Sequence, residues 1–97
     1  MAVIEVVTFR LASHVEPDEF LVADKQAATE FLYMQRGLLR RTTARGVDGQ
    51  WLVVTLWASA RDAEASAVAG RADPIVSLLT SLMDPTSVAT TRYDTLE

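Results

Sequence analysis

The stretch Trp51-Leu52-Val53-Val54-Thr55-Leu56-Trp57-Ala58 decides the fold of this chain, because as a β-strand it is apolar on both faces. Alternate side chains of a strand point to opposite sides of a sheet. One face carries Trp51, Val53, Thr55 and Trp57, and the other carries Leu52, Val54, Leu56 and Ala58. An antiparallel sheet with one face in water shows alternating apolar and polar residues instead. Because the helices of a 97-residue chain can cover only one face, we expect a second molecule to cover the other.

Three further segments predict strands that pair with this one. Val3 to Leu11 is rich in β-branched residues, Leu38 to Arg45 is a more polar strand, and Ser87 to Leu96 forms the last. The turn Gly46-Val47-Asp48-Gly49 contains the Asp-Gly pair that favours a hairpin. We therefore expect the second strand to lie antiparallel beside the apolar one.

Two helices are predicted between the strands. Pro17 suits a first helical turn and Gly37 suits a helix end. The apolar stripe expected to face the sheet is Phe20, Ala23 or Asp24, Ala27, Phe31 and Met34. Ser59, with Asp62 three residues later, begins a second helix that Asp73-Pro74 interrupts before Met83. The predicted order is strand, helix, strand, strand, helix, strand.

Composition excludes several classes of site. The length predicts one domain over residues 1–97. The absence of cysteine excludes disulfides and thiolate chemistry, and a single histidine, His14, excludes a multi-histidine metal centre within one chain. We expect no metal and no organic cofactor.

The net charge of −4 argues against nucleic acid, and no apolar run approaches the roughly 20 residues of a membrane span. A soluble, cytoplasmic protein without a signal peptide is expected.

Local motifs agree with a known family in order and spacing. They are Val6-Val7-Thr8-Phe9, Gly37-Leu38, Leu56-Trp57-Ala58-Ser59, Ala72-Asp73-Pro74 and Arg92-Tyr93. With these motifs nearly the whole chain resembles the dimeric α+β barrel superfamily of antibiotic-biosynthesis-type monooxygenases. The resemblance implies an α+β, ferredoxin-like βαββαβ fold with an antiparallel four-stranded sheet. It also implies a homodimer, a dimeric α+β barrel, through the sheet faces that carry Ile4, Val6, Val54 and Leu56.

The resemblance further implies a pocket in each subunit, between its sheet and its helices. Pocket-lining residues are expected to be Trp57, Val53, Thr55, Val7 and Phe9.

Cofactor-free quinone-forming members use an asparagine four residues before the matching tryptophan, then a tyrosine and an arginine on the second helix. Here Val53, Ala63 and Ser77 stand at those positions. Haem-degrading members use a second-helix histidine, whereas His14 precedes the first helix, so haem degradation is not expected.

Four side chains are candidates for catalysis, each with a structural alternative. Trp57 could stack on a planar ligand and orient a carbonyl through its indole N–H, or it could close the core. His14 is the usual type of general base, or a solvated loop residue. Tyr93 could donate to a developing oxyanion, or pack as a strand aromatic. Glu5, among apolar strand residues, could act as acid or base, or could pair with an arginine.

Arginines are the candidates for binding an anionic part of a substrate. Arg36, Arg40, Arg41 and Arg45 form a basic cluster, from which Arg41 is the expected substrate contact, as is Arg92 in the last strand. The alternative is pairing with acidic residues across strands or across a dimer.

Three functions remain open at this level. The first is a cofactor-independent enzyme acting on aromatic or polyketide-like molecules, with oxygenation of an activated phenol favoured. The second is a polyketide cyclase or isomerase of the same fold. The third is a noncatalytic ligand-binding or structural dimer.

Overall fold

Four antiparallel strands form one sheet in the computed structural model, which describes residues 1–96. The strands are β1 (Val3–Phe9), β2 (Leu38–Arg45), β3 (Trp51–Trp57) and β4 (Ala89–Asp94), in the spatial order β2-β3-β1-β4. The two apolar strands, β3 and β1, lie at the centre, where both backbone edges are paired. The more polar strands β2 and β4 lie at the edges. The predicted ferredoxin-like α+β fold with a four-stranded antiparallel sheet is confirmed.

The helices follow the predicted order, with the second helix divided in two. They are α1 (Pro17–Glu30), α2 (Ala60–Arg71) and α3 (Pro74–Ser81), with short 3-10 turns at Leu32–Met34 and Pro85–Ser87. The Ser59 hydroxyl accepts the backbone N–H of Asp62 at 3.1 Å and caps α2. The Asp73 carboxylate accepts two N–H groups at the start of α3. Among residues 1–96, no helix is long and apolar enough to cross a membrane.

Several boundaries differ from the sequence-based expectation: β4, for example, spans Ala89–Asp94, and the predicted strand ran from Ser87 to Leu96. β1 ends at Phe9, because the Arg10 N–H donates to the Ser87 hydroxyl at 2.8 Å instead of continuing the ladder. α1 ends at Glu30, and the following 3-10 turn rotates Met34 out of the apolar stripe, so Met34 is exposed. The predicted domain extends to Glu97, which lies outside the described residues.

The two faces of the sheet have different surroundings. In β3 every second side chain is buried, and these are Trp51, Val53, Thr55 and Trp57. The residues between them are partly exposed. The helices therefore cover one face, which we call the inner face. The outer face carries Ile4, Val6, Val54 and Leu56, all partly exposed within the single chain. The apolar side chains of the outer face thus have no cover from the helices within residues 1–96.

One end of the inner face is filled by a tight aromatic core. Phe20 of α1 lies between Phe9 and Trp51, with ring centroids 5.3 Å and 5.1 Å away. The Arg45 guanidinium lies 5.4 Å from the centroid of the Trp51 ring, a cation–π distance. This end of the molecule is closed, so the space between sheet and helices lies toward the other end of β3.

Candidate functional site

A cavity of about 630 Å³ lies between the inner face of the sheet and helices α2 and α3. Its volume falls within the range of small-molecule sites, about 300–1,000 Å³. Its floor is formed by Glu5, Val7, Arg41, Val53, Thr55 and Trp57 of the strands. Apart from Arg71, the residues of the α2 wall are small and lie at helical spacing: Ala63, Ser66, Ala67 and Gly70. Because these side chains reach only a short way toward the sheet, the helix leaves the space open.

A row of polar residues crosses the floor of the cavity. Strand register places Arg41 opposite Thr55, Thr55 opposite Glu5, and Glu5 opposite Arg92. Residues in such a row share one face of the sheet. The row interrupts an otherwise apolar floor and supplies groups that can fix the orientation of a ligand.

Arg41 is held in this row by a buried ion pair. Its guanidinium lies 2.7 Å from Asp24 of α1, and the Thr43 hydroxyl donates to the other carboxylate oxygen at 2.8 Å. The side chains of Arg41 and Asp24 are 7% and 10% exposed. The predicted helix stripe left open whether Ala23 or Asp24 faces inward; both are buried, and Arg41 compensates the charge of Asp24.

Glu5 is held by Arg92 at the other end of the row. Arg92 donates from Nε to Glu5 at 2.8 Å and from Nη1 to Glu64 of α2 at 2.9 Å. The hydrogen bond to Glu5, followed by that to Glu64, raises the pKa of Arg92. Because the pKa of Arg92 is higher in the folded protein than in the unfolded chain, its ion pairs stabilise the folded state fully at any pH below the usual arginine pKa. That stabilisation is lost only when the pH rises through the raised pKa. The Glu5–Arg92–Glu64 link therefore keeps its cation at neutral pH.

Trp57 lines the cavity and has an unsatisfied donor. The side chain is 3% exposed and packs against Val3 and Ala63. Its buried indole Nε1 has no hydrogen-bond partner among residues 1–96. A buried donor left without an acceptor costs about 1–3 kcal/mol. A ligand oxygen that reached this N–H would remove that cost.

Most of the predicted site residues lie together, and three do not. Glu5, Val7, Arg41, Val53, Thr55 and Trp57 line the cavity, and Arg92 contacts Glu5. Phe9 lies instead in the closed aromatic core, because Phe20 fills the space above it. His14 is exposed in the turn before α1, away from the cavity. Tyr93 pairs with Ile4 in register and is 55% exposed, because strand alternation turns it to the outer face.

The helical wall contains residues that the sequence-based prediction did not select. Ser66, Ala67, Gly70 and Arg71 of α2 line the cavity, as does Phe31 after α1. The spacing of small residues in α2 was visible, but small residues also occur on exposed helix faces. Ala63 and Ser77, which match the tyrosine and arginine positions of quinone-forming oxygenases, both line the cavity. Among residues 1–96, no three metal-ligating side chains come together.

Solved structures of similar fold span nearly the whole chain. SnoaB, a cofactor-independent oxygenase from Streptomyces nogalater, superposes with a TM-score of 0.76 at 20% identity, covering 99% of this chain and 94% of SnoaB. A protein from Caulobacter crescentus described as a candidate antibiotic biosynthesis monooxygenase gives 0.76 at 18% identity, covering 99% and 91%. A corresponding protein from Nitrosomonas europaea gives 0.74 at 13%, covering 98% and 90%.

The chain has the fold of the antibiotic biosynthesis monooxygenases. The resemblance predicted from the sequence motifs is thereby confirmed at the level of the fold. No family model and no curated protein sequence matches the chain. Sequence identity of 20% or less establishes a shared fold and not a shared reaction, so the reaction is inferred from the residues of the cavity.

Proposed function

We propose that this protein is a cofactor-independent enzyme that oxygenates an electron-rich phenol of aromatic or polyketide type. The observation that carries the proposal is a largely apolar cavity lined by Trp57, whose indole N–H has no partner within residues 1–96. A planar phenol would place its ring against the apolar floor and its oxygen at Trp57. The description of SnoaB as a cofactor-independent oxygenase supports this reaction class on the same fold.

The reaction needs little from the protein beyond binding, deprotonation and exclusion of water. In the proposed sequence Glu5, held by Arg92, takes the phenolic proton, and Trp57 stabilises the phenolate oxygen. The phenolate gives one electron to molecular oxygen, the resulting radical pair forms a carbon–oxygen bond para to the phenolate oxygen, and the peroxide anion takes the proton back from Glu5 to become a hydroperoxide. The para carbon keeps its hydrogen, so the hydroperoxide loses water and becomes a carbonyl. One phenol and one O₂ thus yield one quinone and one water.

A specific substitution favours a second candidate function. Val53 stands where quinone-forming members carry an asparagine, and it lines the cavity. A site without that amide retains Glu5 as acid or base and Trp57 as donor to an enolate oxygen. Those groups are sufficient for a non-oxidative cyclisation or isomerisation of a polyketide-like substrate.

We also propose that a second copy of the chain covers the outer face of the sheet in a cytoplasmic homodimer. Ile4, Val6, Val54 and Leu56 are partly exposed on that face. Burying this surface against its equivalent in a second chain would remove apolar area from water. The cavity lies on the opposite, inner face, so each subunit keeps its own site.

The test measures the dependence of product formation on oxygen, with anthrone as the probe. Quinone absorbance and oxygen uptake are recorded against an enzyme-free blank, in air, under argon, and in air with a chelator. Oxygenation predicts turnover in air with or without chelator, one O₂ consumed per quinone, and none under argon. Turnover of a polyketide-like probe under argon would overturn the oxygenase in favour of the cyclase or isomerase. Binding of aromatic probes without any turnover would overturn both proposed enzymatic functions, the oxygenase and the cyclase or isomerase, in favour of a noncatalytic binding protein.

A further inference from the structure

Ser66 is a polar residue buried in the α2 wall of the cavity. It is 6% exposed and lies on the same helical face as Ala63 and Gly70. Of the buried polar side chains, Asp24 is explained by its bonds to Arg41 and Thr43. The other two, Thr55 and Ser66, make no side-chain hydrogen bond within residues 1–96, and neither hydroxyl is a fully buried atom without a partner, so both open onto the cavity that they line.

Hydroxyls elsewhere in the helices bond back to the preceding turn. Thr80 donates to the Val76 carbonyl at 3.0 Å, and Ser81 donates to the Leu78 carbonyl at 2.6 Å. Within residues 1–96 the Ser66 hydroxyl makes no such bond. A serine hydroxyl can donate one hydrogen bond and accept others. Ser66 therefore keeps its full capacity for a group inside the cavity.

The position of Ser66 relates it to Trp57. Ala63 packs against Trp57, and Ser66 follows Ala63 by three residues on the same helical face. Three residues of an α-helix rise by about 4.5 Å. A flat ring system with one oxygen at the Trp57 indole would therefore extend along α2 toward Ser66. Ala67, beyond Ser66 on the same stripe, leaves room for it.

We infer that Ser66 is a second ligand-positioning residue, which with Trp57 selects planar ligands that carry two oxygen substituents. The inference rests on the proposed function for the ligand class, an aromatic phenol, and is independent of whether that phenol is oxygenated. The indole N–H serves an acceptor oxygen, and the serine hydroxyl serves a second oxygen as donor or acceptor. A ligand with a single oxygen leaves one of the two protein groups without a partner.

The test compares binding of alpha-naphthol and of the isomeric dihydroxynaphthalenes, by calorimetry under argon. The wild-type protein is expected to bind at least one diol about two- to tenfold more tightly than naphthol, the effect of one additional hydrogen bond. Ser66→Ala is expected to remove that preference while binding naphthol as before. Ser66→Thr keeps the hydroxyl and is expected to retain it. Thr29→Ala, which removes a hydroxyl already bonded to the Lys25 carbonyl and lying outside the cavity, is the control and is expected to retain it.

Negative results of this test lead to different conclusions about Ser66 and about the proposed aromatic site. A diol preference that is unchanged in Ser66→Ala would overturn the inference, as would naphthol binding with no preference for any diol in the wild type. Either result would leave the proposed aromatic site standing. No binding of any naphthol would contradict both the inference and the proposed function. Thermal unfolding of each variant establishes that it is folded at the temperature of the measurement.

Discussion

The two tryptophans of β3 show how neighbours, not residue type, decide whether a side chain belongs to a core or to a site. Trp51 and Trp57 lie on the same face of the same strand and are almost equally buried. Trp51 packs against Phe20 and lies near Arg45, so its surroundings are filled. Trp57 meets the small side chain of Ala63 and borders the cavity. The sequence places both on the inner face but cannot show which one borders open space.

Exchanging each tryptophan for phenylalanine should separate these roles. Trp57→Phe is expected to weaken binding of an aromatic phenol about two- to tenfold, because it removes one hydrogen-bond donor. Trp51→Phe is expected to leave binding unchanged and to lower the free energy of unfolding by about 1–3 kcal/mol, because it leaves space in a filled core. Calorimetry and urea denaturation measure the two effects. Equal losses of affinity in both variants would contradict the assignment.

At the scale of elements, the boundaries that depend on local signals were predictable. Pro17 begins α1, Asp73-Pro74 separates α2 from α3, and β2 has the predicted bounds. These signals act through backbone chemistry within a few residues, and the sequence displays them. The cavity wall was less predictable, because the short side chains of α2 become functional only when the helix lies over the sheet. That Phe9 lies in the aromatic core and not in the cavity was unpredictable for the same reason, because it depends on the position of Phe20 in a separate element.

The link between α1 and β2 is predicted to be a strong contribution to stability. Asp24→Ala leaves the Arg41 guanidinium buried without its carboxylate and removes the acceptor of the Thr43 hydroxyl. Loss of one partner of a buried pair costs about 3–5 kcal/mol. Urea denaturation is expected to show a decrease of that size, and the double variant Asp24→Leu/Arg41→Met is expected to recover much of it. A loss below about 1 kcal/mol, typical of exposed pairs, would show that the pair is not buried in solution.

At the scale of the whole molecule, the outer face of the sheet determines assembly. The apolar pattern on both sides of β3 predicted this face, because alternation within a strand can be read directly from the sequence. The helices cover the inner face, and the outer face keeps Val54 and its neighbours partly exposed. The identity of the covering molecule is not a local property of the strand, so the dimer is a proposal that assembly measurements decide.

A charge at the centre of the outer face should prevent dimer formation. Val54→Lys places an ammonium group where a second sheet would pack, and burying it unpaired is unfavourable. Sedimentation velocity at micromolar concentration is expected to show a dimer for the wild type and a monomer for this variant. Val22→Lys, at a 71% exposed position of α1, is the matched control and is expected to remain dimeric. A monomeric wild-type protein would refute the proposed assembly.

The central claim is that the cavity binds a planar phenol whose oxygen accepts the indole N–H of Trp57. Two-dimensional NMR of nitrogen-labelled protein tests it directly, because the chain has two tryptophans and hence two indole signals, assigned with Trp51→Phe. Titration with a dihydroxynaphthalene under argon should move the Trp57 indole proton downfield, as expected for a new hydrogen bond, and leave the Trp51 signal in place. Saturable binding with a stationary Trp57 signal, or with the larger shift at Trp51, would contradict the claim.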